Sequence, residues 1–225
     1  MKKPKLALIP STMGEKVFSV LPSNGSGDFT FSRGSAATRI NKDGLIETMG
    51  DNVSRLEYPM IDGVVSECPS LLLENGATNQ ITQSEVFSGY NENNAVLADN
   101  VITSPDGTLT GASITDDNIG GTGIVQGLQA VTVDVLSEYT WSVFAKKKGV
   151  DYIALRPNTF TTPSNGDTFF DLNLGEIVSV ATGHTAKIED YGSGWYRCSV
   201  TFTTDEIVTS GNLTLRLSDD GSNTT

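Results

Sequence analysis

Helical periodicity, histidine, cysteine and long apolar runs are what this chain of 225 residues has least of. No stretch approaches the ~18 consecutive apolar residues that span a bilayer as a helix. The "LALI" of "MKKPKLALIP" is shorter than the roughly 7–15 residues of a signal-peptide core, so neither membrane insertion nor export by that route is expected. The two cysteines, Cys68 and Cys198, are too few for a disulfide-stapled scaffold and are expected as buried thiols. Positive charge is scarce as well. Fifteen Lys+Arg stand against 27 Asp+Glu, a net charge of −12. A chain this acidic repels a phosphate backbone, so nucleic acid is not an expected partner.

Recognisable catalytic patterns are also missing. The single histidine, His184 in "ATGHTAKIED", has no second His or Cys at metal-ligand spacing and is expected in a surface loop. There is no nucleophile elbow and no phosphate-cradling glycine loop. Carboxylates are plentiful, and Glu57, Glu74, Glu85 and Glu138 are candidates for a glycosidase pair. Such a pair is defined by separation in space, which sequence spacing does not set. The expectation is a protein that does no chemistry and has no cofactor. Calcium is the one ion the loops would suit: "TDDN" (115–118) and "SDDGSN" (218–223) are oxygen-rich, though neither fits the twelve-residue EF-hand loop.

What is present is a period of two, punctuated by Gly, Asn, Asp and Pro. "TQSEVFSGY" (82–90) is the best helical candidate and holds about two turns at most. In "DFTFSRGSAATRINKDGLIET" (28–48), Phe29 and Phe31 share a strand face, and "TRI" and "LIE" flank "NKDG". Gly44 suits the left-handed residue closing a type I turn with a bulge, and Asn41 can accept from the backbone two residues on. Later, Val131, Val133 and Val135 fall on one face, as do Tyr139, Trp141, Val143 and Ala145. In "WYRCSVTF", Tyr196, Cys198, Val200 and Phe202 point inward, and Trp195, Arg197, Ser199 and Thr201 outward. Leu213, Leu215 and Leu217 point inward, and Gly175-Glu176 fits a two-residue type II′ turn.

These patterns predict an all-β protein. An N-terminal extended arm with short hairpins (residues 1–66), whose first 25 or so residues are not expected to fold alone, precedes an antiparallel β-sandwich (67–225). Sugar binding by such a sandwich needs exposed aromatics beside polar groups. Trp195 with Arg197, and Tyr191 nearby, are the candidate glycan contacts, while Tyr90 and Phe160 lie in loop-like surroundings.

The blocks "SVLPSNGSGDFTFSRGSAATRINKDGLIE", "RLEYP", "CPSLLLE", "TNQITQSEVFSGYN" and "SPDGTLTGASI" resemble the N-terminal region of bacteriophage virion proteins of the tail-fibre, head-fibre and appendage type. "YTWSVFAKKKGVDYIALR", "FFDLNLGEIVSV" and "AKIEDYGSGWYRCSVTFT" resemble the jelly-roll module that usually follows, which is similar to carbohydrate-binding modules. The resemblance runs from Val17 onward. It implies a structural virion component assembled in the host cytoplasm, with capsid, neck or tail proteins as partners. It also implies a homo-oligomer, a trimer if a fibre, and a host glycan as a further candidate partner. Phe29, Phe31, Arg33, Arg39 and Arg55 would then belong to the attachment region, the arginines pairing with Asp28, Glu47 or Glu57. In that family a last strand follows the point where "NLTLRLS" ends the pattern here, so a sandwich lacking its final strand, with a bare edge, is expected. A free lectin-like module and a fragment of a polysaccharide depolymerase are the rival expectations.

Overall fold

The computed structural model describes residues 7–13, 15–21, 28–81, 84–88, 90–117, 126–160 and 165–222. All its regular elements are strands, and every pairing is antiparallel. The chain divides into two units, Met1–Ala77 and Thr78–Thr225.

The first unit is built of short ladders. β1 (Ala7–Met13), β2 (Lys16–Leu21) and β3 (Phe29–Thr30) form one sheet. β4 (Ala37–Ile40) pairs with β5 (Ile46–Met49), β6 (Leu56–Glu57) with β9 (Ser70–Leu71), and β7 (Met60–Ile61) with β8 (Val64–Val65). The β4–β5 turn forms as its residues dictate. Gly44 has φ +79°, and Asn41 Oδ1 accepts from the amides of Asp43 at 2.9 Å and Leu45 at 3.0 Å. β9 pairs with β6 across Leu56↔Leu71, which ties residues 70–71 to this unit although the composition changes character near residue 66. Of the expected arm, residues 1–6, 14 and 22–27 lie outside the described residues, and Ala7–Met13 pairs with Lys16–Leu21 as a hairpin. Among the described residues of this unit, Val17 and Ile40 alone are buried hydrophobics.

In the second unit, β10 (Asn91–Asn93), β13 (Gln126–Thr132), β20 (Ser210–Ser218), β15 (Tyr152–Asn158), β16 (Thr168–Asp171) and β17 (Glu176–Ser179) form a six-stranded sheet in that order. β14 (Glu138–Lys146), β19 (Trp195–Thr203) and β18 (Thr185–Asp190) form a three-stranded sheet, and β11 (Ala95–Ile102) pairs with β12 (Gly111–Asp116). Both large sheets contribute to one core: Val131, Ile153, Leu155, Phe170, Leu213 and Leu217 from one, Trp141, Cys198, Val200 and Phe202 from the other. Tyr139, Val143, Ala145, Tyr196 and Leu215 pack against it, as the alternation requires. Burying a side chain such as Val, Leu or Phe is worth roughly 1.5–3 kcal/mol, so this shared core is what holds the second unit together.

Several expectations are corrected. β20 is not an edge: it lies between β13 and β15, paired with both. Its second face is accordingly covered too, with Thr214, Arg216 and Ser218 buried beside Ala154 and Phe169. Arg216 is tolerated there because Asp167 accepts from its Nη1 at 3.1 and 3.2 Å, while burial lowers the guanidinium pKa against that carboxylate's pull. Val135 is exposed because β13 ends at Thr132 and the chain turns at Leu136, φ +51°. Phe160 is fully buried, its ring 5.0 Å from that of Phe202. Residues 172–175 make a four-residue loop between the paired Asp171 and Glu176, not a two-residue turn. Asp171 Oδ1 accepts from the Asn173 and Leu174 amides and thereby sets that wider loop. The described residues of 82–90 form no helix, since Asp99 accepts from the Phe87 and Ser88 amides instead; Thr82, Gln83 and Gly89 lie outside them. His184 is half-buried and hydrogen-bonded through Nδ1 to Thr168 Oγ1 at 2.9 Å. Both cysteines are free. Cys198 is buried and its thiol is pushed up to about 12 by that burial, whereas Cys68 is exposed in the segment between β8 and β9.

Candidate functional site

The outer face of the three-stranded sheet is the place where the sequence-predicted glycan contacts meet. β19 is its central strand, so each outward residue of β19 is flanked by one of β14 and, further along, one of β18. Trp195 stands opposite Lys146, Arg197 opposite Phe144 and Glu189, and Thr201 opposite Thr140 and Thr185. Most of this face is polar. Thr140 and Thr201 share a hydroxyl hydrogen bond of 2.7 Å. Arg197 Nη1 donates to Glu189 Oε2 at 3.4 Å and Nη2 to Ser142 Oγ at 3.4 Å, and Glu189 also takes Lys187 Nζ at 2.6 Å. Ser199, expected outward, is covered between its neighbours and donates to the Lys187 carbonyl.

Phe144 interrupts that polar pattern. It is 38% exposed, and Tyr191 meets it edge-on with centroids 4.9 Å apart and planes at 84°. Trp195 is diagonal to Phe144 across the β14–β19 ladder, a spacing of about 7–8 Å. The turn that delivers Trp195 is Gly192-Ser193-Gly194, with φ values of +76°, +52° and +79°. The Gly192 carbonyl accepts from Trp195 N, and Asp190 Oδ1 accepts from Gly192 N at 2.7 Å. Two glycines carry the left-handed backbone, and Ser193 adopts it against its preference.

A cleft of about 390 Å³ opens at this end of the sheet, lined by Lys146, Lys147, Lys148, Gly149, Leu172, Asn173, Gly194 and Tyr196. Gly175 is required beside it: a Cβ there would stand 2.6 Å from the Tyr196 ring. Lys147 is satisfied by Asp151 at 2.6 Å and Asn173 Oδ1 at 3.0 Å. Burial, with the negative charges of Asp190 and Asp171, raises the Tyr196 pKa.

The arginines of the first unit serve a different purpose. Arg33 donates to the carbonyls of Ser35, Met49 and Gly50, not to a carboxylate. Arg39 pairs with Glu47, Nε to Oε1 at 2.7 Å, and donates to the Leu56 carbonyl at 2.9 Å. That pair and Asn41 hold the Glu47 pKa below the usual carboxylate value. Arg55 is buried and reaches the Thr38 carbonyl at 2.9 Å and Glu74, not Glu57, at 2.8 Å. Asp28 pairs with Lys16. Phe31 lies under the Arg33 guanidinium at 5.8 Å; Phe29 belongs to β3, and Phe31 lies beyond its end. The three arginines tie separate short ladders together.

Of the candidate contacts named from the sequence, Trp195, Arg197 and Tyr191 fall at this end of the sheet, and Phe144, Lys146 and Lys148 beside them were not named. The signal for Phe144 was an aromatic at an outward position of "YTWSVFAK". Among the described residues no three His, Cys, Asp or Glu side chains gather as a metal site. Asn118 of one oxygen-rich loop and Asn223 of the other lie outside the described residues, and Asp220 Oδ1 accepts from the Ser222 amide. No family model matches the chain, and no curated protein matches it.

Proposed function

We propose that this protein is a structural, non-enzymatic component of a bacteriophage particle, a fibre, decoration or tail or neck appendage. The Met1–Ala77 unit is its attachment part. The Thr78–Thr225 unit is a jelly roll of the carbohydrate-binding-module kind that meets the host surface. The sequence blocks from Val17 onward support this reading. The structural observation that carries it is the poverty of the first unit's core. Ordering a residue costs roughly 1–2 kcal/mol of backbone entropy, which burial must offset. Among the described residues of that unit, burial falls to Val17 and Ile40, while Ile61, Val64 and Leu73 are each more than 60% exposed. A partner surface is what such a unit needs, and another virion protein supplies it. A homotrimer follows from the fibre form of this reading.

Antibody labelling of purified particles, with mass spectrometry of their proteins, tests it. Label at one repeated position on the particle is the expected result. Particles that contain none of this chain would sink the proposal. A lectin-like role is favoured by one specific observation, the aromatic and basic end of the three-stranded sheet.

A further inference from the structure

We infer that this end of the three-stranded sheet binds an anionic polysaccharide, with Trp195 and Phe144 stacking on sugar rings and Lys146 and Lys148 holding the charged groups. Three independent features of the site lead there.

The first is the aromatic pair. Phe144 is exposed on a face whose outward residues, Trp195 apart, are otherwise Thr, Ser, Lys, Arg and Glu. Trp195, its diagonal neighbour, is half-buried. No partner for its indole N–H occurs among the described residues. A fixed ring with one free donor suits a pyranose, whose C–H face is apolar and whose edge carries hydroxyls. Tyr191 supports Phe144 from the side.

The second is the charge. Lys147 is neutralised by Asp151, and Lys187 and Arg197 share Glu189. Asp171 and Asp190, whose charges help raise the Tyr196 pKa, each accept from amides of their own loops through Oδ1. Lys146 and Lys148 are exposed and have no carboxylate partner among the described residues. In a chain of net charge −12, two unpaired ammonium groups at one cleft mark a local site for an anion. A nucleic acid offers bases to the same rings and phosphates to the same lysines, and oligo(dT) is the probe that separates the two ligands.

The third is the strain. In the turn that sets the position of Trp195, Ser193 holds φ +52° between two glycines and is exposed, so the core gains nothing from its conformation. Backbone of this kind gathers where a side chain must be aimed.

Affinity electrophoresis of the whole chain in native gels tests the inference, with polygalacturonate, dextran sulfate, neutral dextran and oligo(dT) as the probes. Retardation by an anionic polysaccharide and not by neutral dextran is expected, and the carboxylate and sulfate polymers identify which group the lysines prefer. W195A and the K146E/K148E pair should each weaken retardation by about tenfold or more, with an unchanged thermal midpoint, since all three side chains stand outside the core. No retardation, equal retardation by neutral dextran or by oligo(dT), or retardation that survives both variants would each overturn it. The inference does not rest on a virion role: a chain that labels particles but ignores the polymers defeats this inference alone, and the reverse result defeats only the virion reading.

Discussion

The two units solve the problem of holding strands together by opposite means. In Thr78–Thr225, apolar side chains from two sheets share one core, and polar contacts decorate it. In Met1–Ala77 the ladders are mostly two to four residues long, and guanidinium groups reach across to carbonyls and carboxylates to link them. A core is non-directional and strong in sum. A guanidinium clip fixes geometry, but its net contribution is small because both partners give up water. The difference teaches that the second unit is held by a shared core and the first by directional contacts.

The largest break should come from Val200→Asp. Val200 is fully buried in the core, and an unpaired charge there costs several kcal/mol. The second unit should lose its cooperative melting transition and Cys198 should become reactive to a thiol reagent, while Cys68 reacts in either state. A soluble, cooperatively melting variant would mean that the register of β19 is wrong. Next, Phe160→Ala should destabilise the second unit by about 3–5 kcal/mol, measured by urea unfolding, because the ring fills the space against Phe202 and Gly211.

Arg55→Ala sharpens the contrast. It removes the links to Thr38 and Glu74 and should cost about 1–3 kcal/mol, all of it in the first unit. Limited proteolysis should then cut before residue 78 faster, with the melting of the second unit unmoved. A matching loss of stability in the second unit would refute the division. The smallest effect belongs to Glu47. Its folded pKa lies below the ordinary 4.5, so its pairing stabilises the β4–β5 hairpin fully above that value and is lost as pH falls through the folded one. Glu47 is more than a third exposed, so the contribution is under about 1 kcal/mol. Amide protection in residues 37–49, taken relative to the intrinsic exchange rate at each pH, should fall in acid for the native chain and be insensitive to that step in Glu47→Gln.

Local chemistry was legible where neighbours in sequence decide the outcome. Asn41 and Gly44 make the expected turn because both the acceptor and the left-handed residue lie within it. The alternation in β14 and β19 placed Trp141, Val143, Cys198, Val200 and Phe202 on the core side. What failed depended on long-range pairing. Nothing in "NLTLRLS" says that two other strands flank it, so the burial of Thr214, Arg216 and Ser218 was hidden, as was the partnership of Arg216 with Asp167. Glu74 as the partner of Arg55 was hidden for the same reason. At the candidate site, Trp195 and Arg197 followed from alternation alone. Lys146 and Lys148 needed the cleft, which exists only once loops 147–151, 172–175 and 191–194 come together.

The place of β20 sets an order of events during synthesis. Gln126–Thr132 and Tyr152–Asn158 leave the ribosome long before Ser210–Ser218, yet they are joined only through it. Until it arrives, the six-stranded sheet is two fragments with a strand-wide gap, and each fragment offers an unpaired edge beside apolar side chains. The gap takes any strand of the right pattern, including Ser210–Ser218 of another copy. Dilute chains should therefore refold with their own strand in the gap, and concentrated ones should exchange it, so that crowding during synthesis, rather than the finished fold, decides how many chains end up intertwined.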